Sequence, residues 1–354
     1  MNYKILSINP GSTSTKIAVY EDEHPLFVET IYHPAQELEK YDTLFDQFDM
    51  RKNCVMQAVG ENGVKLTELS AVVGRGGQLA PLKAGGYLVN QAMLNALKSP
   101  DIQQHESNLG APIAFSIAKP LGIPAFIYDA VSSDELIDVA RITGIPEIRR
   151  ESFCHVLNSK ATARKVAKDL GGTYQSMSFI VAHIGGGISI SAHENGHIID
   201  VVTADAGPFS PERSGSVPLE YIINMCYNGK YTKKEMLTKL KKNSGIKGHL
   251  GTNDCVEVER RIEAGDEKAK AIYEAQAYQI AKGIGEMGPP LCGKIDAVIL
   301  TGGLAYSEYI TQEVARRVGH LGPVVVVPGE NEMEALALGA LRILRGEEGY
   351  HEYA

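Results

Sequence analysis

The chain has 354 residues, 44% of them hydrophobic and 22% charged, proportions that predict about two globular domains and exclude a disordered chain or a coiled coil. A formal net charge of −8 disfavours a nucleic-acid partner, because an acidic surface repels a phosphate backbone. Five scattered cysteines without a C-x-x-C pair point to a reducing, cytoplasmic setting, and no apolar run or signal-peptide pattern predicts membrane insertion or secretion.

The opening reads as a strand meander over residues 3–8, 17–20 and 26–28, with glycine, serine and acidic turns between. A mixed region follows, with a strand over 69–73, helices over 93–97 and 113–119, and a strand over 125–128. A second meander occupies 180–182, 188–192 and 198–199. Setting Gly11 against Gly185 aligns the glycine turns of the two meanders and suggests a duplicated domain. Helices are then expected over 255–264 and 267–286, the latter apolar at Ala271, Ala275, Tyr278 and Ile284. A buried strand over 295–300, a helix over 307–318, a buried strand over 324–327 and a closing helix over 332–345 complete an α/β pattern.

Three glycine-rich segments carry chemistry. In Asn9-Pro10-Gly11-Ser12-Thr13-Ser14-Thr15-Lys16, backbone N–H groups, hydroxyls and the Lys16 ammonium can cradle phosphate oxygens, where the plain alternative is a hydrophilic hairpin. The P-loop pattern G-x-x-x-x-G-K-[ST] is absent. In His183-Ile184-Gly185-Gly186-Gly187, with Ser189 and Ser191 beyond, three consecutive glycines permit a ligand to approach the backbone closely. Gly185-x-Gly187 lacks a third glycine and opens a strand, which disfavours a dinucleotide fingerprint. Thr301-Gly302-Gly303 ends a strand and can let a base and ribose lie against the chain. A fourth segment, His193-Glu194-Asn195-Gly196-His197, spells the zinc-protease motif. Asn-Gly between alternating strands is instead a hairpin signal, so two exposed hairpin histidines are expected there.

Glycine sites on duplicated halves resemble the acetate and sugar kinase, Hsp70 and actin superfamily. Within it, Asn9 to Lys16 matches the acetokinase family signature N-x-G-S-[ST]-[ST]-x-K, where actin-like and sugar kinases carry aspartate at the Asn9 position. His183-Ile184-Gly185-x-Gly187 with Ser189, and Glu212-Arg213-Ser214-Gly215, resemble the family's second signature and its R-S-G segment. The triple glycine, Gly74-Arg75-Gly76-Gly77 and residues 206–213 resemble the butyrate kinases of that family, and the chain is shorter than typical acetate kinases.

The resemblance implies a ribonuclease H-like, actin-like ATPase fold of the α/β class: two similar duplicated domains with mixed sheets flanked by helices and a cleft between them. Residues 1–130 would form the first domain, with the N-terminal phosphate hairpin and the acyl-substrate side. Residues 131–331 would form the second, with the second phosphate hairpin and the adenosine loop, and 332–354 would return to the first. The implied activity is reversible transfer of the ATP γ-phosphoryl to a small carboxylic acid, with ATP/ADP and Mg²⁺ as cofactors and a homo-oligomer, dimer or larger, as the assembly. Asn9, Gly11, Ser12, Ser14, Lys16, His183, Gly185, Gly186, Gly187, Gly302 and Gly303 would hold the nucleotide. Arg213 matches the family's catalytic arginine. Arg75 stands for its substrate arginine, with a shorter interval to the Gly-Gly pair than the family shows. Asp129 and Glu332 look like the metal-linked carboxylates, with Glu330 and Glu334 as alternatives in register. His155 lies one residue out of step with the phosphate-contacting histidine, and His105, followed by Asn108, falls near the substrate pocket. A carboxylate acceptor is ionised at pH 7 and needs no general base, so catalysis reduces to positioning and charge neutralisation. An actin-like or Hsp70-like ATPase is the rival reading, disfavoured by Asn9 and by the short chain.

Overall fold

Residues 2–354 are described by the computed structural model, and they divide into two units: residues 2–134 with 331–354, and residues 135–330. In chain order the first unit begins with β1 (Lys4–Pro10), β2 (Ser14–Glu21), β3 (His24–Tyr32), α1 (Ala35–Leu38), α2 (Phe48–Glu61), β4 (Ala71–Arg75), β5 (Gly86–Leu88), α3 (Gln91–Leu97), α4 (Gly110–Ala118) and β6 (Ala125–Tyr128). The second unit contains α5 (Val156–Asp169), β7 (Phe179–Ile184), β8 (Ile188–Glu194), β9 (His197–Val202), α6 (Leu219–Tyr227), α7 (Lys233–Lys242), α8 (Gly245–Leu250), α9 (Cys255–Glu263), α10 (Glu267–Glu286), β10 (Ala297–Gly302), α11 (Glu308–Val318) and β11 (Val324–Pro328). The chain then returns to the first unit as α12 (Glu332–Leu344) and β12 (Tyr350–Glu352).

The duplication is visible in the sheets. The first has the order β12-β5-β6-β4-β1-β2-β3 and the second β11-β10-β7-β8-β9. In each, an antiparallel meander (β1, β2, β3; β7, β8, β9) is extended by two parallel strands (β4 and β6; β10 and β11) on the far side of its first strand. The first strand of each meander, β1 and β7, is covered on both faces, which is why residues 5–8 and 179–184 are mostly apolar. In the first unit Leu6, Ile8, Ile17 and Val19 pack with Val55 and Val59 of α2 and Ile113 and Ile117 of α4, while α12 lies against β1, β2, β4 and β6. In the second, Ile180, Ala182, Ile188 and Ile190 pack with Tyr273, Ala277, Ile280 and Ile284 of α10. Val166 of α5 packs with Phe179, Val181 and Ile299.

Three expectations need correction. The buried stripe of α10 runs through Tyr273, Ala277, Ile280 and Ile284, whereas Ala271 and Tyr278 are exposed, because the helix packs against both β7 and α11 on a face rotated from the one expected. β11 is only partly buried because it is the edge strand of its sheet. The helix over 332–345 does not close the chain: β12 follows and pairs with β5.

Candidate functional site

In the first unit, the parallel strands β1, β4 and β6 deliver their carboxyl ends to one edge of the sheet, where α/β proteins place ligands. Asn9 and Lys16 are cross-strand partners and therefore share a face. Asn9 Nδ2 donates to Glu332 Oε2, and the Arg75 guanidinium pairs with Glu332 Oε1. Glu332 is the first residue of α12, where a carboxylate is favoured by the helix dipole. Arg75 ends β4, and a Cβ on Gly110 would lie 2.3 Å from its carbonyl oxygen, so only glycine lets α4 start there. The turn before α4 carries Asn108, buried and accepting the Gln78 N–H at 2.8 Å, and His105, whose Nδ1 accepts the Ser107 N–H at 3.2 Å. Asp129 follows β6 with φ +43°, a left-handed conformation that non-glycine residues keep only when the surroundings enforce it. Here the enforcement includes the Gly85 N–H, which donates to Asp129 Oδ1 at 2.8 Å.

The β1–β2 turn is tied from behind. Gly11 N–H donates to Ser14 O at 2.8 Å, and the fully buried Arg51 of α2 donates to Gly11 O, Ser12 O, Ser14 O and Thr15 Oγ1 at 2.9–3.1 Å. Thr15 Oγ1 lies 2.8 Å from His33 Nε2. Burial and the Arg51 charge lower the His33 pKa, consistent with a neutral ring that accepts from the threonine hydroxyl.

In the second unit, β7 leads into Gly185-Gly186-Gly187, with Ser210 Oγ donating to Gly186 O at 2.6 Å. Arg213 donates its backbone N–H to the same hydroxyl at 3.1 Å, and a Cβ on Gly187 would lie 3.3 Å from its Cζ. The Arg213 guanidinium also pairs with Asp205 at 3.3 Å. The His155 and His183 rings are stacked, with centroids 3.7 Å apart and planes 8° from parallel. Asn158 Nδ2 donates to His183 Nδ1 at 3.0 Å and to Thr301 Oγ1 at 3.2 Å, which leaves His183 protonated at Nε2 and directed to Glu330 Oε1 at 3.2 Å. His155 Nδ1 lies 2.8 Å from Ser189 Oγ. Gly302 has φ +94° and exchanges backbone hydrogen bonds with Gly329, while the space around Gly303 is open.

His193 and His197 sit on successive strands joined by a turn in which Asn195 and Gly196 both have positive φ, so the helical spacing of a zinc protease is lost. His197 is exposed, but His193, expected at the surface, is fully buried. The sheet face it shares with Ser189 and Ser191 is covered, and its ring nitrogens meet Tyr174 OH at 2.8 Å and Ser191 Oγ at 2.7 Å.

The acetokinase family profile matches residues 145–335. A probable butyrate kinase of Clostridium botulinum is 49% identical over 350 residues, 98% of this chain and 99% of its own length. The chain belongs to the acetokinase family. Among solved structures, the acetate kinase of Porphyromonas gingivalis is similar at a TM-score of 0.80 and 20% identity, covering 97% of this chain and 100% of its own. A propionate kinase of Francisella tularensis is similar at 0.74 and 20%, covering 95% and 98%. At that identity the likeness is one of fold.

Within this acetokinase, Asn9, Arg75 and Glu332 come together in the first unit, and His155, His183, Ser189 and Glu330 in the second. Of the three candidate glutamates, Glu332 meets Asn9 and Arg75 and Glu330 meets His183. Glu334 acts on Tyr20, whose hydroxyl is pushed up to about 12 by burial and by that charge. Sequence reasoning did not single out Arg51 or Asn158, neither of which lies in a motif with a recognisable spacing, and it gave no role to Thr301 or Ser210 within the segments that contain them.

Proposed function

We propose that this acetokinase transfers the γ-phosphoryl of ATP to butanoate, giving butanoyl phosphate and ADP, and makes ATP in reverse. The observation that carries this reading is the near full-length identity to a probable butyrate kinase. A butanoate oxygen attacks the γ-phosphorus as its bond to the ADP oxygen breaks, and the ionised acid needs no proton removed. We assign Asn9, Gly11, Ser12, Ser14 and Lys16 in the first unit, and His183 with Gly185, Gly186 and Gly187 in the second, to the ATP phosphates. Gly302 and Gly303 are assigned to adenosine.

Arg75 is assigned to the butanoate carboxylate and Arg213 to the charge developing on the transferred group, with His155 contacting the same phosphate. Both guanidiniums are oriented by carboxylates, Arg75 by Glu332 and Arg213 by Asp205. Asp129 and Glu332 suit Mg²⁺, a hard cation that takes one or two carboxylates together with phosphate oxygens. Bound there, the ion would neutralise phosphate charge. The exposed apolar residues Leu219, Tyr221, Ile223 and Tyr227 of α6 support self-association as a dimer or larger, which light scattering would measure. The five free cysteines support a cytoplasmic setting, and among the described residues no helix is long and apolar enough to cross a membrane.

The test is acyl phosphate formation, trapped as hydroxamate, across a panel of acids. Two further methylenes, each worth about 0.8 kcal/mol when buried, should favour butanoate over acetate by roughly tenfold in kcat/KM, with isobutanoate close to butanoate and propanoate between. Acetate equal to or better than butanoate would overturn the butanoate assignment and leave a carboxylate kinase. No acyl phosphate with any acid would overturn both.

A further inference from the structure

Every backbone carbonyl oxygen of the β1–β2 turn is taken up within the protein. Gly11 O, Ser12 O and Ser14 O accept from Arg51, and Thr13 O accepts the His33 N–H at 2.8 Å. With every backbone carbonyl of residues 11–14 engaged, the backbone groups left over at Ser12 and Thr13 are donors. Ser12 and Thr13 are exposed, and among the described residues their backbone N–H groups and hydroxyls donate to no protein acceptor. A turn that is to meet an anion must show donors and hide acceptors, and three hydrogen bonds from one guanidinium, with the His33 N–H on the fourth carbonyl, achieve this without either residue touching the ligand.

Charge makes the case more specific. Arg51 is fully buried, always protonated, and has no carboxylate within ion-pairing distance among the described residues. Gln47 Oε1 accepts from its Nε at 3.0 Å, so its hydrogen-bonding partners are neutral carbonyls, an amide and a hydroxyl. The Glu106 carboxylate acts on Arg51 only from beyond ion-pairing distance, and a buried cation without a contact counter-ion is a costly way to brace a turn. It is a sound way to set a positive potential behind a loop that receives phosphate, where the ligand itself supplies the balancing charge.

We propose that Arg51 is a positioning residue for nucleotide phosphate, acting through the 11–14 turn by turning its carbonyls inward and holding a positive charge behind its donors. This rests on the reading of the chain as an ATP-dependent kinase.

The test compares the affinities of ATP, inorganic tripolyphosphate and adenosine, by calorimetry, in wild type, Arg51→Gln, Arg51→Lys and Thr15→Val. Arg51→Gln should lose tenfold or more in affinity for ATP and tripolyphosphate and keep adenosine within twofold. Arg51→Lys, which keeps the charge but not the fork, should recover part of the loss. Thr15→Val, which removes a single link, should lose about threefold for the two anions. If Arg51→Gln does not fold, Arg51→Lys and Thr15→Val decide. Anion affinities within twofold of wild type in the folded variants, or a parallel loss of adenosine, would overturn the proposal. Failure of the kinase reading would be seen separately, as wild type that makes no acyl phosphate while the Arg51 effect on anion binding persists.

Discussion

The turn from β1 to β2 and the turn from β7 to β8 occupy the same place in the same strand order, yet they are made by different chemistry. The first is rich in hydroxyls, has its carbonyls drawn inward by Arg51 and carries its cation behind the loop. The second is bare backbone, with Gly186 O held by the neutral Ser210 hydroxyl and Arg213 lying alongside Gly187. Duplication therefore preserved where a loop emerges while leaving free how it presents charge, because strand order depends on the buried apolar residues and turn chemistry does not.

Substitutions in or beside the second turn should have the largest effects. Arg213→Ala should lower kcat by about 10² to 10³, the scale of losing one transition-state donor, with a smaller change in KM for ATP. Steady-state kinetics with butanoate near normal turnover would remove the contrast between the two turns. Gly187→Ala should lower kcat by roughly tenfold, since the added methyl would displace the guanidinium. Gly186→Ala meets nothing within 4 Å, so its melting temperature should stay at the wild-type value while KM for ATP rises several-fold if phosphate fills that space. In the first turn, Lys16→Ala should raise KM for ATP about fivefold with kcat within about threefold, the pattern of a contact made equally in ground and transition states.

The smallest effects on turnover should come from the far turn of the second meander, where the contrast is between two histidines. His197→Ala should be nearly neutral. His193→Gln should leave kcat within about threefold but cost about 1 to 3 kcal/mol of stability. Burial, with the charges of Lys160 and Arg164, holds the His193 pKa well below 6.5. The folded ring stays neutral where the unfolded one takes a proton, so its contribution is full above pH 6.5 and falls below it, by up to about 1.4 kcal/mol per pH unit. The stability gap between wild type and His193→Gln, read by urea titration, should therefore narrow on acidification, and a widening gap would refute the assignment.

Both meanders were legible because alternating apolar residues and glycine turns leave a short-range pattern, and the acetokinase signature sits on one of them. Arg51 left no such pattern: in Phe48-Asp49-Met50-Arg51-Lys52 it reads as one of several solvated charges, and only turn carbonyls 37 to 40 residues away reveal its burial. The Asn195-Gly196 hairpin signal implies exposed histidines on both sides of the turn, whereas hydrogen bonds to Ser191 and Tyr174 let the His193 ring be buried. The three-residue strands β5 and β12 are too short to show a period, and their pairing depends on neighbours distant in sequence.

One feature of the fold bears on how the protein is made. The first unit is discontinuous, with the whole of the second inserted between β6 and α12, so Asn9 and Glu332 meet across 323 residues of chain. On the ribosome, residues 2–134 emerge with the α12 side of β1, β2, β4 and β6 still uncovered, and they must wait while residues 135–330 are synthesised. The second unit has all its strands in one stretch and can close first. Docking of α12 is then a late, high-contact-order event that completes the first unit and brings Glu332 to Arg75 in the same step.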